Sequence, residues 1–139
     1  MPPAQHPEVP EAILSNLRLT CLDLPEAAEE KAWTGVRWSV GGKAFAHVLM
    51  IDHGWPPAYA KVAETEGPAC VLTFRCAGAA REVPRFARAP FFLPGWWPNI
   101  VGMVLGDDTD WHETAALLSR SYCALAPKRL AAQVDLTHE

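Results

Sequence analysis

Gly41-Gly42 sits between two β-rich runs, Val36 to Val40 and Lys43 to Met50, and this arrangement constrains the fold more than any other feature of the chain. A two-residue turn with positive φ at both positions is what glycine permits at least cost, so V-R-W-S-V-G-G-K-A-F-A-H-V-L-M predicts an antiparallel hairpin. In the simplest register Val40 pairs with Lys43, Trp38 with Phe45 and Val36 with His47. Val36, Trp38, Val40 and Phe45 then share the core face, and His47 points toward the sheet's inner side. Arg37 and Ser39 lie on the other face beside Ala44 and Ala46, with Lys43 near the tip.

Such a hairpin needs further strands and a covering layer. Pro10 and Glu11 suit the first turn of a helix whose stripe is Ile13, Leu17, Cys21 and Leu24, closed by Pro25. Residues 26–32 read as a charged connection, and Trp33 begins the sheet. Trp55 to Gly67 fits either a short helix opened by Pro56-Pro57 or a strand. C-V-L-T-F-R, Cys70 to Arg75, predicts a strand with Leu72 and Phe74 on the core face. A short helix over Ala77 to Val83 stops at Pro84. Pro90, Pro94 and Pro98 then space an aromatic loop, Asn99 to Leu105 is the last strand, and Gly106-Asp107-Asp108 turns the chain. Asp110 and Glu113 form a capping box for a final helix, whose stripe is Trp111, Ala115, Leu118, Tyr122 and Leu125 and whose end is Pro127. The expectation is an α+β domain over residues 9–131, with an antiparallel sheet of four or five strands, helices on one face, and tails at 1–8 and 132–139.

At 139 residues the chain has the length of one domain, and burying roughly two-thirds of the unfolded surface leaves no need for disulfides. Cys21, Cys70, Cys76 and Cys123 have no C-x-x-C spacing, and no signal-like apolar stretch opens the chain, which predicts buried free thiols in a cytoplasmic protein. No run approaches the ~18 apolar residues of a membrane span, so no membrane partner is expected. A net charge of −4 removes global attraction to nucleic acid, so an anionic partner must find a local patch.

The ordered pieces C-L-D-L-P (Cys21 to Pro25), Trp33, V-G-G-K-A-F-A (Val40 to Ala46), Pro84-Arg85-Phe86, the Trp97 to Leu105 strand, D-W-H-E (Asp110 to Glu113), Ser121-Tyr122 and A-P-K-R-L (Ala126 to Leu130) resemble the MmcQ/YjbR family. The resemblance implies a CyaY-like, frataxin-like two-layer sandwich with the N- and C-terminal helices on one face of the sheet. It also implies DNA binding through a double-wing arrangement of hairpins. The chain departs from the family at Leu93-Pro94-Gly95-Trp96-Trp97, where basic residues often precede the tryptophan.

For a duplex DNA partner the candidate contacts are Arg37 and Lys43 on the hairpin, Arg75, Arg81, Arg85 and Arg88, and Lys128 and Arg129 after the last helix. Each can neutralise a phosphate, against the plainer reading of solvated charges. The alternative is a protein or small-ligand module built on Phe91, Phe92, Trp96 and Trp97, with Trp96 expected to be the exposed ring. The frataxin-like resemblance directs attention to Asp23, Glu26, Glu29 and Glu30 as iron ligands, but a solvated loop accounts for them and no metal is expected. Asp52-His53 and Asp110-x-His112 lack a third convergent ligand. G-x-S-x-G, P-loop, H-E-x-x-H and G-x-G-x-x-G are all absent, and His47 has no visible acid partner. The expectation is a monomeric binding protein without enzymatic activity or cofactor.

Overall fold

A computed structural model describes residues 7–134, so most of the first tail and the last five residues of the second lie outside it. The elements run α1 (Glu11–Cys21), β1 (Ala28–Lys31), β2 (Val36–Val40), β3 (Lys43–Ile51), α2 (Pro57–Ala63), β4 (Ala69–Arg75), β5 (Phe91–Phe92), β6 (Ile100–Leu105), α3 (Trp111–Leu125) and α4 (Lys128–Ala131). Two 3-10 turns, Ala80–Glu82 and Pro84–Ala87, replace the helix expected after β4. All six strands form one antiparallel sheet in the order β1-β2-β3-β4-β6-β5. The fold is an α+β sandwich.

Gly41 and Gly42 make the β2-β3 turn with φ of 57° and 79°, as glycine allows. Val40 pairs with Lys43, but the ladder then shifts: Ser39 faces Ala44, Trp38 faces Ala46, and Phe45 is the extra residue of a β-bulge. The expected Trp38–Phe45 and Val36–His47 pairs are therefore replaced by Trp38–Ala46 and Val36–Val48. Phe45 and Trp38 still reach the main core. His47, however, is turned to the opposite face, because one inserted residue reverses every side chain beyond it.

That core lies between the sheet and helices α1 and α3, and its fully buried members include Leu17, Trp38, Phe45, Leu72, Leu118 and Tyr122. Asp110 caps α3 by accepting from the Glu113 amide at 3.0 Å, a contact worth about 1 kcal/mol. The buried stripe of α3 is Thr114, Leu117, Leu118, Ser121 and Tyr122, rotated slightly from the apolar pattern so that two hydroxyl groups enter the core. α2 resolves the ambiguity of residues 55–67 in favour of a helix. It covers the other face of the sheet, where Leu49, Ile51, Val71 and Tyr59 form a second, smaller cluster. β1 arises inside the stretch read as a connection, and Trp33 lies in the following loop rather than in the sheet.

The two layers are joined where the bulge interrupts the ladder. The Ser121 hydroxyl donates to the Phe45 carbonyl at 2.6 Å and accepts from the Arg75 amide at 2.8 Å. Ser121 is fully buried, so no water can replace it. We expect Ser121→Ala to cost about 2–4 kcal/mol, since it strands two buried backbone groups at once. Urea denaturation with an unchanged m-value checks this, and a loss below 1 kcal/mol would show that the groups find other partners.

Candidate functional site

The register places the β2-β3 turn, the C-terminal end of β4 and the N-terminal end of β6 at one end of the sheet, since Val40 meets Lys43, Phe74 meets Ala46 and Arg75 meets Ile100. The turn also lies beside the start of α4: a Cβ on Gly41 would stand 4.0 Å from Pro127 Cδ. Lys43 thereby shares this end with Lys128 and Arg129. Arg81 joins them because the Ala80 amide donates to the Pro98 carbonyl at 2.7 Å, tying its turn to the segment that enters β6. The opposite end carries Asp52, Glu64, Glu66, Asp107 and Asp108, which follow β3, α2 and β6. The two ends of the sheet thus differ in charge, although Lys61 stands with Glu64 and Glu66 at the acidic end and Glu26 and Glu82 lie at the other, a distribution that a net charge conceals.

The eight basic candidates do not form one surface. Lys43, Arg75, Arg81, Lys128 and Arg129 occupy the end just described. Arg85 and Arg88 lie by β5 instead, where Arg85 pairs with Glu113 at 3.5 Å and its guanidinium sits over the rings of Phe86 and Phe91. Arg37 is on the outer face of β2, paired with Glu30 at 2.8 Å. Arg129 pairs with Glu26 at 3.2 Å. Of the eight candidates, Lys43, Arg81, Arg88 and Lys128 are exposed and outside these ion pairs.

The aromatic loop is divided by its neighbours. Phe91 enters the main core beside Phe86, and Phe92 lies over Gly102, where any Cβ would collide with the ring. Trp96, expected to be exposed, is half-buried against Tyr59 at 4.9 Å between centroids, because α2 supplies a partner on that face. Trp97 is the exposed ring, at 55 %. Arg75 stacks on it at 4.9 Å and donates to Asn99 Oδ1 at 2.7 Å, so its guanidinium is held in place. Trp97 also walls a hollow of about 310 Å³ with Arg81, Leu93, Gly95 and Ile100. A larger hollow of about 680 Å³ lies between α3 and the segment after β4, lined by Val83, Phe86, Leu117, Cys76 and Cys123. Trp33, 65 % exposed, packs on Trp55, Tyr59 and His47 on the α2 face.

The remaining titratable groups serve the fold. His47 Nε2 lies 2.7 Å from the Thr34 carbonyl and Nδ1 lies 3.4 Å from the Tyr59 hydroxyl. Burial holds its pKa below the ordinary 6.5, helped by the charge of Arg37 and opposed by the Thr34 bond. Glu29 takes a two-point hydrogen bond from Arg18, at 2.9 and 3.0 Å, and a third from the Trp38 indole at 2.9 Å. Arg18 keeps its carboxyl below the ordinary 4.5. Of the four carboxylates considered for iron, Glu26, Glu29 and Glu30 each face an arginine, and no group of three His, Cys, Asp or Glu converges around these or Asp23 among the described residues. Cys21 and Cys70 are buried free thiols, with Cys70 pushed up to about 12 by burial. Cys76 and Cys123, also outside any disulfide, are only partly buried.

Acid should act in two windows. Unfolded chain takes up a proton on His47 first as pH falls below 6.5, so stability present above that value declines toward the lower folded pKa. Glu29 contributes above 4.5, and its share is lost as pH falls through its depressed folded pKa. Denaturation across pH should show that His47→Gln removes the first decline and Glu29→Gln the second. Unaltered profiles would remove these groups from the acid response.

No curated protein and no solved structure gives a match to this chain. The YjbR family model matches residues 22–124, from the end of α1 through nearly all of α3. The matched segment contains all six strands, the bulged hairpin and Ser121, and on that span the chain belongs to the YjbR family.

Proposed function

We propose that this protein is a DNA-binding module that acts by weak, mostly electrostatic contact and without catalysis, and that its contact surface is the end of the sheet holding Lys43, Arg75, Arg81 and Lys128. The observation that carries this reading is the gathering of those cations from the hairpin, β4, the following turn and α4, with the acidic groups Asp52, Glu64, Glu66, Asp107 and Asp108 at the far end. Glu26 at the cationic end is engaged by Arg129, although Glu82 directly follows Arg81. Cations from four elements on one end can meet successive phosphates, as a hairpin tip with an adjacent helix start does. A non-catalytic role is supported by the shifted groups themselves: His47, Glu29, Tyr122 and Cys70 hold the fold together or lie in its core.

Fluorescence anisotropy of labelled duplex DNA, titrated at several salt concentrations, tests the reading. Each phosphate contact adds about 0.9 to the slope of log K against log salt. Lys43→Gln with Lys128→Gln should therefore flatten that slope by about 1.8 and leave the melting temperature unchanged. Arg37→Gln should leave the slope as it is, because Arg37 is on the outer face of β2 and paired with Glu30. Absence of binding at low salt, or a double variant indistinguishable from the parent, would overturn the assignment.

A further inference from the structure

We infer that the hollow beside Trp97 is a stacking slot for one unpaired nucleobase, so that the cationic end prefers single-stranded over duplex nucleic acid; this rests on the nucleic-acid reading above. Trp97 is the large aromatic ring left exposed in its loop, and it is fixed from several directions. Arg75 stacks on it while bonded to Asn99, the Cys76 amide donates to the Asn99 carbonyl at 2.9 Å, and the Ile100 amide closes onto the Trp97 carbonyl at 3.4 Å. A ring held in this way offers stacking area without the entropy cost of ordering it.

The slot has room for a base and part of its sugar-phosphate. Its volume is about 310 Å³, and its walls are Trp97, Trp96, Leu93, Pro98, Ile100 and the small residues Ala79, Ala80 and Gly95. Arg75, which stacks on Trp97, is not among them. Arg81 lines the slot, is exposed and stands outside the ion pairs above. A planar group against Trp97 would place an attached phosphate within the reach of Arg81, and the strand on either side would continue toward Lys43 and Lys128. Stacking is sequence-tolerant because every base has a π-face, and it is denied to a base that remains paired within a duplex. The larger hollow beside α3, lined by Arg75, Arg85 and Arg120, lacks an exposed tryptophan: its Arg85 is committed to Glu113 and to the rings of Phe86 and Phe91, and its Arg75 to Asn99 and Trp97.

The test compares labelled oligothymidylate with duplex DNA of equal length by anisotropy, using the parent chain, Trp97→Ala and Arg81→Gln. The parent should bind the single strand roughly tenfold more tightly than the duplex, and Trp97→Ala should abolish that preference by weakening single-strand binding far more than duplex binding. Arg81→Gln should flatten the salt slope by about 0.9. If Trp97→Ala lowers the melting temperature, Trp97→Phe, which keeps a π-face, must retain most of the preference. Salt-dependent duplex binding with no single-strand preference, or a preference that survives Trp97→Ala, would overturn the slot and leave the electrostatic reading standing. Failure to bind either polymer at low salt would overturn both. Thymidine monophosphate that binds as tightly as the oligomer would overturn the polynucleotide assignment, because Lys43 and Lys128 would then contribute nothing.

Discussion

The Ser121 hydroxyl is the joint on which this architecture turns. A bulge at Phe45 breaks the β2-β3 ladder near the hairpin, and there the Phe45 carbonyl and the Arg75 amide at the end of β4 both face the helix layer. Buried backbone groups without partners would make that break unaffordable in an apolar core. One hydroxyl from α3 answers both, at 2.6 and 2.8 Å, and in doing so locks the helix in position along the sheet. The same contact holds the Arg75 backbone at the point where β4 ends, which is where the guanidinium departs toward Asn99 and Trp97. Core packing and the candidate surface therefore share one anchor.

A second constraint acts from the opposite edge. Glu29 on β1 accepts from Arg18 on α1 and from the indole of Trp38, the register partner of Glu29 on β2. The carboxylate thus satisfies a buried Trp N–H and ties the first helix to an otherwise exposed edge strand. Edge strands invite pairing with other chains, and a short, charged Ala-Glu-Glu-Lys segment blunts that tendency. At the far edge, β5 is only two residues long, ended by Pro90 and covered by the Arg85–Phe86 turn.

Features encoded within a few residues were legible in the sequence. The Gly-Gly turn and the core face of β4 depend on local spacing and are present as read, and of the Asp110–Glu113 capping box the Asp110 half is present while the Glu113 carboxylate pairs with Arg85. Features decided at long range were not. The bulge that turns His47 outward has its partner 76 positions later, at Ser121, and nothing between Val36 and Met50 distinguishes a straight ladder from a bulged one. Trp96 and Trp97 are identical neighbours, and what separates them is Tyr59 from α2, a helix whose own pattern admitted a strand. β1 lacks an apolar alternation because Glu29 faces inward to meet Arg18, so a polarity reading makes it a connection. The cationic end was invisible for a related reason. It is assembled by register, joining Lys43 to Lys128 and Arg75 to Arg81, whereas Arg85 of the same sequence cluster pairs with Glu113 and meets Arg75 only across the hollow beside α3.

That assembly changes what the net charge means. β3 runs nine residues between the two ends of the sheet, which at about 3.3 Å per residue is roughly 30 Å. At physiological ionic strength charges are screened over about 8 Å. The carboxylates beyond Ile51 and Leu105 therefore lie several screening lengths from Lys43 and Arg81 and exert little force on an anion held there. Only in dilute salt, where screening extends to about 30 Å, does the acidic end oppose an approaching polyanion. An acidic chain of this kind can hold phosphate through a local patch while its remaining surface repels the rest of the polymer. On the proposed reading, the contact is limited to the few nucleotides that fit between the hairpin tip and Trp97.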